Sequence, residues 1–438
     1  MLPAQDSLLS RVLTPEQLKA DMALFRLAIE ERHPGVDRYR APGTFARTAG
    51  AVTAQLNTPM SVRNFYQLLA PAVDSLDCGH TELQLPKNYM KYIQKNAKQL
   101  PFRFQLNDTG LFARVDYSGD SAVAVKLLIK KINGYSVDSL IRSWNAHMTS
   151  DGYNETMKQF YLGRYFRDEF TAFVGEPDTF LLQIFNPTTK TYSYKRGKMR
   201  TYAELEKIYK NKYEKRGAPK LLQLYFNDSA AMLSIRTFQY KQIRKQKQYY
   251  RRYIRRAFRE IKKRNITELT IDLRGNTGGE VPLGIFLYRQ MALKKFRYID
   301  SITVKSKKPV SFLKYTDQNR LFNCNLWLVR KRGNVLMYDI GGMTKTHKPV
   351  RNPYTGNVTI LVDPMTFSNA SNFAALVQFE KRGKIKGPET GGASNGCNGA
   401  SFITVTLPNS KLAVRVPMGK VVYPFQPFYN YGHGVGGE

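Results

Sequence analysis

From Glu268 to Lys386 the chain alternates short apolar or β-branched runs with longer amphipathic stretches: Glu268–Leu273, Pro282–Gln290, Val358–Val362, Asn369–Glu380 and Lys384–Lys386. This repeated strand-then-helix order constrains the fold more than any other feature, because neighbouring parallel strands need a crossover between them, usually a helix. The C-terminal half is therefore expected to form an α/β layer. Of the 438 residues, 42% are hydrophobic and 12% aromatic, enough to cover both faces of such a sheet and too many for a disordered chain. No run in the sequence approaches the roughly 18 uninterrupted apolar residues of a membrane span.

The N-terminal third reads differently. Thr14-Pro15-Glu16-Gln17 is a helix start, with Thr as cap, Pro at the first helical position and Gln17 completing a capping box. Leu18, Met22, Phe25, Ala28 and Ile29 give that helix an apolar face, and Pro34 ends it at His33. A second helix is expected from Ser61, followed by Asp77-Cys78-Gly79-His80-Thr81-Glu82-Leu83 as a turn entering a strand. Residues 1–95 form a helical region on this reading. Short alternating strands with an Asn133-Gly134 turn then mark a β-rich unit at 96–150. Residues 151–218 read as a connecting α/β segment with strands such as Phe180–Ile184, its lysine- and tyrosine-rich stretch 187–218 being a surface loop and linker. The α/β core occupies 219–438.

Charge adds one strong feature. There are 68 Lys+Arg against 34 Asp+Glu, a formal net charge of +34. Twelve of the cations fall between Lys241 and Arg264, with Glu260 the single acid. Tyr250, Ile254, Ala257, Phe258 and Ile261 keep helical spacing through this stretch, so it is expected to be an amphipathic helix with one very basic face. Tyrosines interleave with the arginines, but no nucleic-acid-binding motif accompanies them and Tyr250 belongs to the apolar face. A solvated face meeting anionic surfaces non-specifically is expected, not a specific nucleic-acid reader.

The three cysteines, Cys78, Cys324 and Cys397, lack metal-ligand spacing, and no His-Glu-x-x-His motif is present, so no metal or cofactor is expected. If one disulfide forms, Cys324–Cys397 is the pair to test. Met1-Leu2-Pro3-Ala4-Gln5-Asp6 reads like the remnant of a removed signal peptide, with the small Ala4 where cleavage would fall, or else like a plain cytosolic start; an extracytoplasmic protein is the expectation.

Three segments carry chemistry. Asp272-Leu273-Arg274-Gly275-Asn276-Thr277-Gly278-Gly279 follows a strand, and its glycines bring bare N–H groups toward a ligand or simply make a turn. Asp363 to Ser371 joins a strand to a helix, and places Ser368 at the helix start. There it is either an ordinary cap or a nucleophile whose oxyanion the next amide, Asn369, stabilises. The third is Gly79-His80, where the imidazole is either structural or an orientable base; only five histidines exist. Cys78, two residues from His80, offers a second nucleophile, disfavoured because a base so near in sequence rarely meets the required geometry.

Taken in order, Asp-Cys-Gly-His-Thr, then Ile271 to Gly279, then Thr366-Phe367-Ser368 with Phe373-Ala374-Ala375-Leu376, then Gly387-Pro388-Glu389-Thr390-Gly391-Gly392, the chain resembles the tail-specific (C-terminal processing) and tricorn-core peptidases. It looks most like exported members from Bacteroidetes-type bacteria. Asn133-Gly134 resembles that family's PDZ-like domain, and Asp151-Gly152-Tyr153-Asn154 follows as in those relatives. The resemblance implies a crotonase/ClpP-like α/β catalytic core with an N-terminal helical region and a PDZ-like β-rich domain. It implies a serine endopeptidase acting on a peptide or protein substrate, with Ser368 as nucleophile and Gly278 or Gly279 with Asn369 as the oxyanion hole. The Ser–Lys branch places a lysine in the segment that reads Gly391 to Gly396 here, without one. His80 matches the base of the tricorn-like branch instead. The acid that orients it is expected to be Glu389, ahead of Asp77 and Glu438. The alternative is a catalytically silent peptide- or polyanion-binding protein that retains the fold.

Overall fold

The structure is a computed structural model describing residues 7–118, 127–213, 219–319, 328–338, 341–425 and 430–437. Thr14 caps the Pro15–Arg32 helix as its sequence predicts: its hydroxyl accepts from the Gln17 N–H at 3.4 Å, and Gln17 Oε1 accepts from the Thr14 N–H at 3.1 Å. Ser61 likewise caps the Val62–Asp74 helix. These helices do not close a core of their own. Leu18, Phe25, Phe65 and Leu69 pack with Ile403, Val405, Val414 and Val416 from the end of the chain. Those four belong to a hairpin, Gly396–Thr406 with Ala413–Val422, that the sequence reading missed. Its first strand opens on turn-like residues, Gly396-Cys397-Asn398-Gly399, and carries an irregularity between Gly399 and Phe402.

The β-rich unit is an antiparallel sheet ordered Thr191–Lys198, Thr179–Asn186, Leu128–Ile132, Gly110–Asp116, Phe102–Asn107. The Glu155–Phe173 helix lies on it, with Leu162, Phe166 and Phe170 joining Phe102, Ile129, Trp144 and Phe180 in one cluster. Gly163 permits that contact, since a Cβ there would sit 2.5 Å from the Leu106 nitrogen. The boundary expected at residue 150 is therefore corrected: the unit's core runs on to Met199. The loop expected over 187–218 is corrected too, being largely the strand Thr191–Lys198 and the helix Tyr202–Tyr213. That strand lies at the sheet's edge and is largely exposed along its length, so it has no apolar alternation for a sequence to display.

In the core, Leu222–Asn227 runs antiparallel to Ala230–Ile235, and Glu268–Asp272, Asn357–Leu361 and Lys384–Lys386 continue the sheet in parallel. The Tyr250–Lys263 and Asn369–Phe379 helices are crossovers between parallel neighbours. The basic segment is two helices, Tyr240–Lys245 and Tyr250–Lys263, divided near Lys247, whose φ is 56°. Tyr250, Ile254, Ala257, Phe258 and Ile261 are all buried, as their spacing predicts. A second sheet, ordered Val329–Arg332, Val335–Tyr338, Ser301–Val304, Ala413–Val422, Gly396–Thr406, flanks the core. No helix among the described residues is long and apolar enough to cross a membrane. Met1–Asp6 and Cys324 lie outside the described residues, as does the expected Cys324–Cys397 pairing; Cys397 itself is buried.

Candidate active site

The Asn357–Leu361 strand enters a turn that is tied to its neighbour before the helix begins. Asp363 accepts the Gly275 N–H at 2.9 Å and 3.0 Å and the Met365 N–H at 3.1 Å, while the Thr366 hydroxyl donates to Leu273 O at 3.1 Å. Ser368 stands at the top of this turn with φ 55° and ψ −124°, a conformation costly for a residue with a Cβ. Its side chain makes no capping hydrogen bond to the helix that follows. The capping role open to it on sequence is thus not the one it plays. Ser368 is thus a strained strand-to-helix serine whose hydroxyl makes no hydrogen bond to the described residues.

Asn276 organises the glycine loop beside it. Buried, it donates from Nδ2 to Ile235 O at 3.0 Å, accepts the Gly278 N–H on Oδ1 at 2.9 Å, and accepts the Phe367 N–H on its carbonyl at 3.1 Å. Gly278 has φ +91°, and a Cβ there would lie 2.8 Å from Phe367 O and 2.9 Å from the Asn369 nitrogen. Only glycine lets the loop press against Ser368. The Gly278 N–H is spent on Asn276, so of the two glycines named from the sequence Gly279 is the one whose N–H stays open. The N–H groups of Gly279 and Asn369 donate to none of the described residues. The Asn369 side chain is fixed by the Tyr298 hydroxyl at 2.8 Å and by donation to Glu280 O at 2.9 Å.

His80 arrives from the other end of the chain. The strand after it, Glu82–Gln84, pairs with Ala413–Arg415. Its ring lies between Phe367 and Phe402, with centroids 4.4 Å and 5.6 Å away. A Cβ on Gly79 would meet the Phe367 ring at 2.9 Å and the Asp151 nitrogen at 3.3 Å, so a side chain there would have to displace the ring. Burial, with a smaller effect from the Arg415 charge, pushes the imidazole down to about 3, so it is neutral at ordinary pH. His80 and Ser368 line one cleft of about 2000 Å³ together with Gly279 and Asn369. No hydrogen bond joins the two among the described residues, and His80 Nδ1 has no partner.

The expected orienting acid is elsewhere. Glu389 accepts from Gly434 N at 2.6 Å and Thr156 Oγ1 at 3.3 Å and pairs with His433 Nδ1 at 3.3 Å, which engages both oxygens away from His80. Asp77 pairs with Arg40 at 2.8 Å, and Glu438 is outside the described residues. What does hold the His80 turn is a pair of buried groups. His33 Nε2 meets Thr81 Oγ1 at 3.0 Å, and Asp151 Oδ1 accepts the Gly79 N–H at 2.9 Å. Burial pushes the Asp151 carboxyl up to about 7, against the opposing effects of the Gly79 N–H and Arg38. Asp151 and Asn276 were visible in sequence only as members of motifs, without a role. Cys78 is fully buried and pushed up to about 11, leaving no thiolate to compete with Ser368. Lys384 and Lys386 are exposed along their strand, and neither lines the cleft.

Residues 229–434 match the model of Peptidase family S41. Among solved structures, mature CPAF aligns over 96% of this chain and 92% of its own, at 14% identity and a TM-score of 0.61. A CPAF mutant does so with the same coverage and identity at 0.67, and mature CPAF complexed with lactacystin at 0.64 over 96% and 93%. At such identity the agreement is one of fold. No curated protein matches the chain in sequence. Residues 229–434, whose fold builds the Ser368 turn and its two open amides, are thus the part of this chain that matches peptidase family S41.

Proposed function

We propose that the protein is a serine endopeptidase that cleaves peptide bonds through an acyl-enzyme on Ser368, with His80 as general base. The observation that carries this is the Ser368 turn: a strained serine at a helix start, not capping it, beside two open backbone N–H groups. Neutral His80 takes the hydroxyl proton as Oγ attacks the scissile carbonyl, and the oxyanion forms toward the Gly279 and Asn369 amides. The same proton passes to the departing amine, and water then hydrolyses the ester by the reverse route. Burial beside Phe367 and Phe402 keeps the resting imidazole neutral. Substrate closure brings Ser368 and His80 into hydrogen-bond contact, since catalytic contacts are often long before substrate arrives.

The unpartnered His80 Nδ1 favours one rival, a peptide-binding protein that keeps the fold without turnover. Labelling with a fluorophosphonate probe separates them. Labelling of the wild type that is lost in both Ser368→Ala and His80→Ala supports the proposal. An unlabelled wild type supports the binding protein, and labelling that persists in Ser368→Ala refutes the nucleophile.

A further inference from the structure

All twelve Lys and Arg side chains from Lys241 to Arg264 are exposed, and none of them is in an ion pair among the described residues. Arg251, Arg255, Arg259 and Lys263 stand in one row at four-residue spacing, with Arg252 and Arg256 in the next. Like charges so spaced on a helix repel one another. At about 100° per residue the basic positions of this helix cover an unbroken arc of roughly 140°. The opposite side is buried in the protein core, so the helix has no apolar face left to offer. An anionic partner is the one that relieves the repulsion.

We propose that this face docks the protein on the surface of an anionic phospholipid bilayer. The cations fan over a convex helix about 21 Å long at 1.5 Å per residue, which suits a flat field of headgroups. A single nucleic-acid strand would instead require a groove with stacking rings along it. The exposed rings carried by the segment itself, Tyr240 and Tyr249, sit together at one end, with Arg244 over each at 5.5 Å, while Arg251 and Arg255 lie over the half-buried Phe286 at 5.6 Å and 5.3 Å. Amphipathic tyrosines of this kind suit the headgroup level. None of these residues lines the cleft that holds Ser368 and His80.

The test is co-sedimentation of the full chain with vesicles of phosphatidylcholine alone or with phosphatidylglycerol. Each basic residue near an anionic surface is worth roughly fivefold in partition. The triple variant Arg251→Glu, Arg255→Glu, Arg259→Glu is therefore expected to lose at least about 100-fold, and the wild type to release as salt rises from about 0.1 M to about 0.5 M. Arg→Gln at the same three positions is the milder form, and an unchanged thermal midpoint certifies folding. A control triple on the β-rich unit's exposed edge, Lys190→Glu, Arg196→Glu, Lys198→Glu, is expected to stay within about twofold of wild type. Equal loss in both triples would assign binding to net charge and overturn the proposal. So would equal binding to pure phosphatidylcholine, no binding to either vesicle, or displacement from vesicles by a single-stranded oligonucleotide at the same salt.

Discussion

Asp151→Asn tests how the His80 turn is held. Asp151 is 1% exposed; Oδ1 holds the Gly79 N–H, Oδ2 makes no hydrogen bond to the described residues, and the nearby Ala393 N–H also favours the charged carboxylate. Its carboxyl is raised from 3.8 to about 7 by burial. A raised acid keeps a proton in the folded state that the unfolded chain has already released. Its stabilising contribution is full below about pH 3.8 and is lost as pH rises through about 7. From pH 5.5 to 8.5 the loss covers roughly 1.5 units at about 1.4 kcal/mol each, hence about 2 kcal/mol. Asparagine keeps the acceptor for Gly79, fills the volume and does not titrate. Urea unfolding of both proteins at the two pH values is expected to show a fall in wild-type stability about 2 kcal/mol larger than in the variant. Other titrating groups cancel in that difference. An identical pH dependence in the two proteins would refute the assigned protonation.

The functional arm uses the same residue. Asp151→Asn should label with the serine probe at the wild-type rate, because the Gly79 N–H is still bound. Asp151→Ala strands that buried donor at a cost of about 1–3 kcal/mol and frees the turn, so labelling is expected to fall at least about tenfold.

His33→Gln addresses the opposite sign. The His33 imidazole is lowered from 6.5 to about 3 by burial and by Lys305, so its contribution is present above about pH 6.5 and is lost as pH falls toward 3. Between pH 6 and 4 the variant's stability should fall less steeply than the wild type's, by about 1.4 kcal/mol per pH unit in urea unfolding. Gly278→Ala drives a Cβ against the Ser368 turn in a left-handed backbone, and should cost at least about 1–3 kcal/mol with probe labelling down by more than about 100-fold. Retained labelling there would mean the loop does not shape the oxyanion site. Glu389→Gln is expected to label within about twofold of wild type, because the carboxylate serves His433 and Gly434; a triad acid would cost on the order of 10⁴.

The parts of this molecule readable from sequence are those whose determinants are local. The Thr14–Gln17 box, the buried positions of the Tyr250–Lys263 helix and the Lys384–Lys386 strand are each settled by residues within a few positions, and each lies where its pattern predicts. Ser368 was visible as a position, but its backbone decides that it does not cap the helix, and φ 55° is held by Asp363 and Asn276 reaching across two strand ends. The choice between Gly278 and Gly279 turns on one side chain, Asn276 Oδ1, whose direction no spacing encodes. The partners of Glu389 were hidden for the same reason: His433 and Gly434 come from the chain's end, and a glutamate in a glycine-rich loop carries no mark of which imidazole it faces. His80 itself depends on such a meeting, since pairing of Glu82–Gln84 with Ala413–Arg415 sets its depth between Phe367 and Phe402. A one-residue slip in that register would turn Leu83 outward and carry the imidazole from the cleft. The place of His80 is therefore a property of the sheet, while that of Ser368 is a property of the turn.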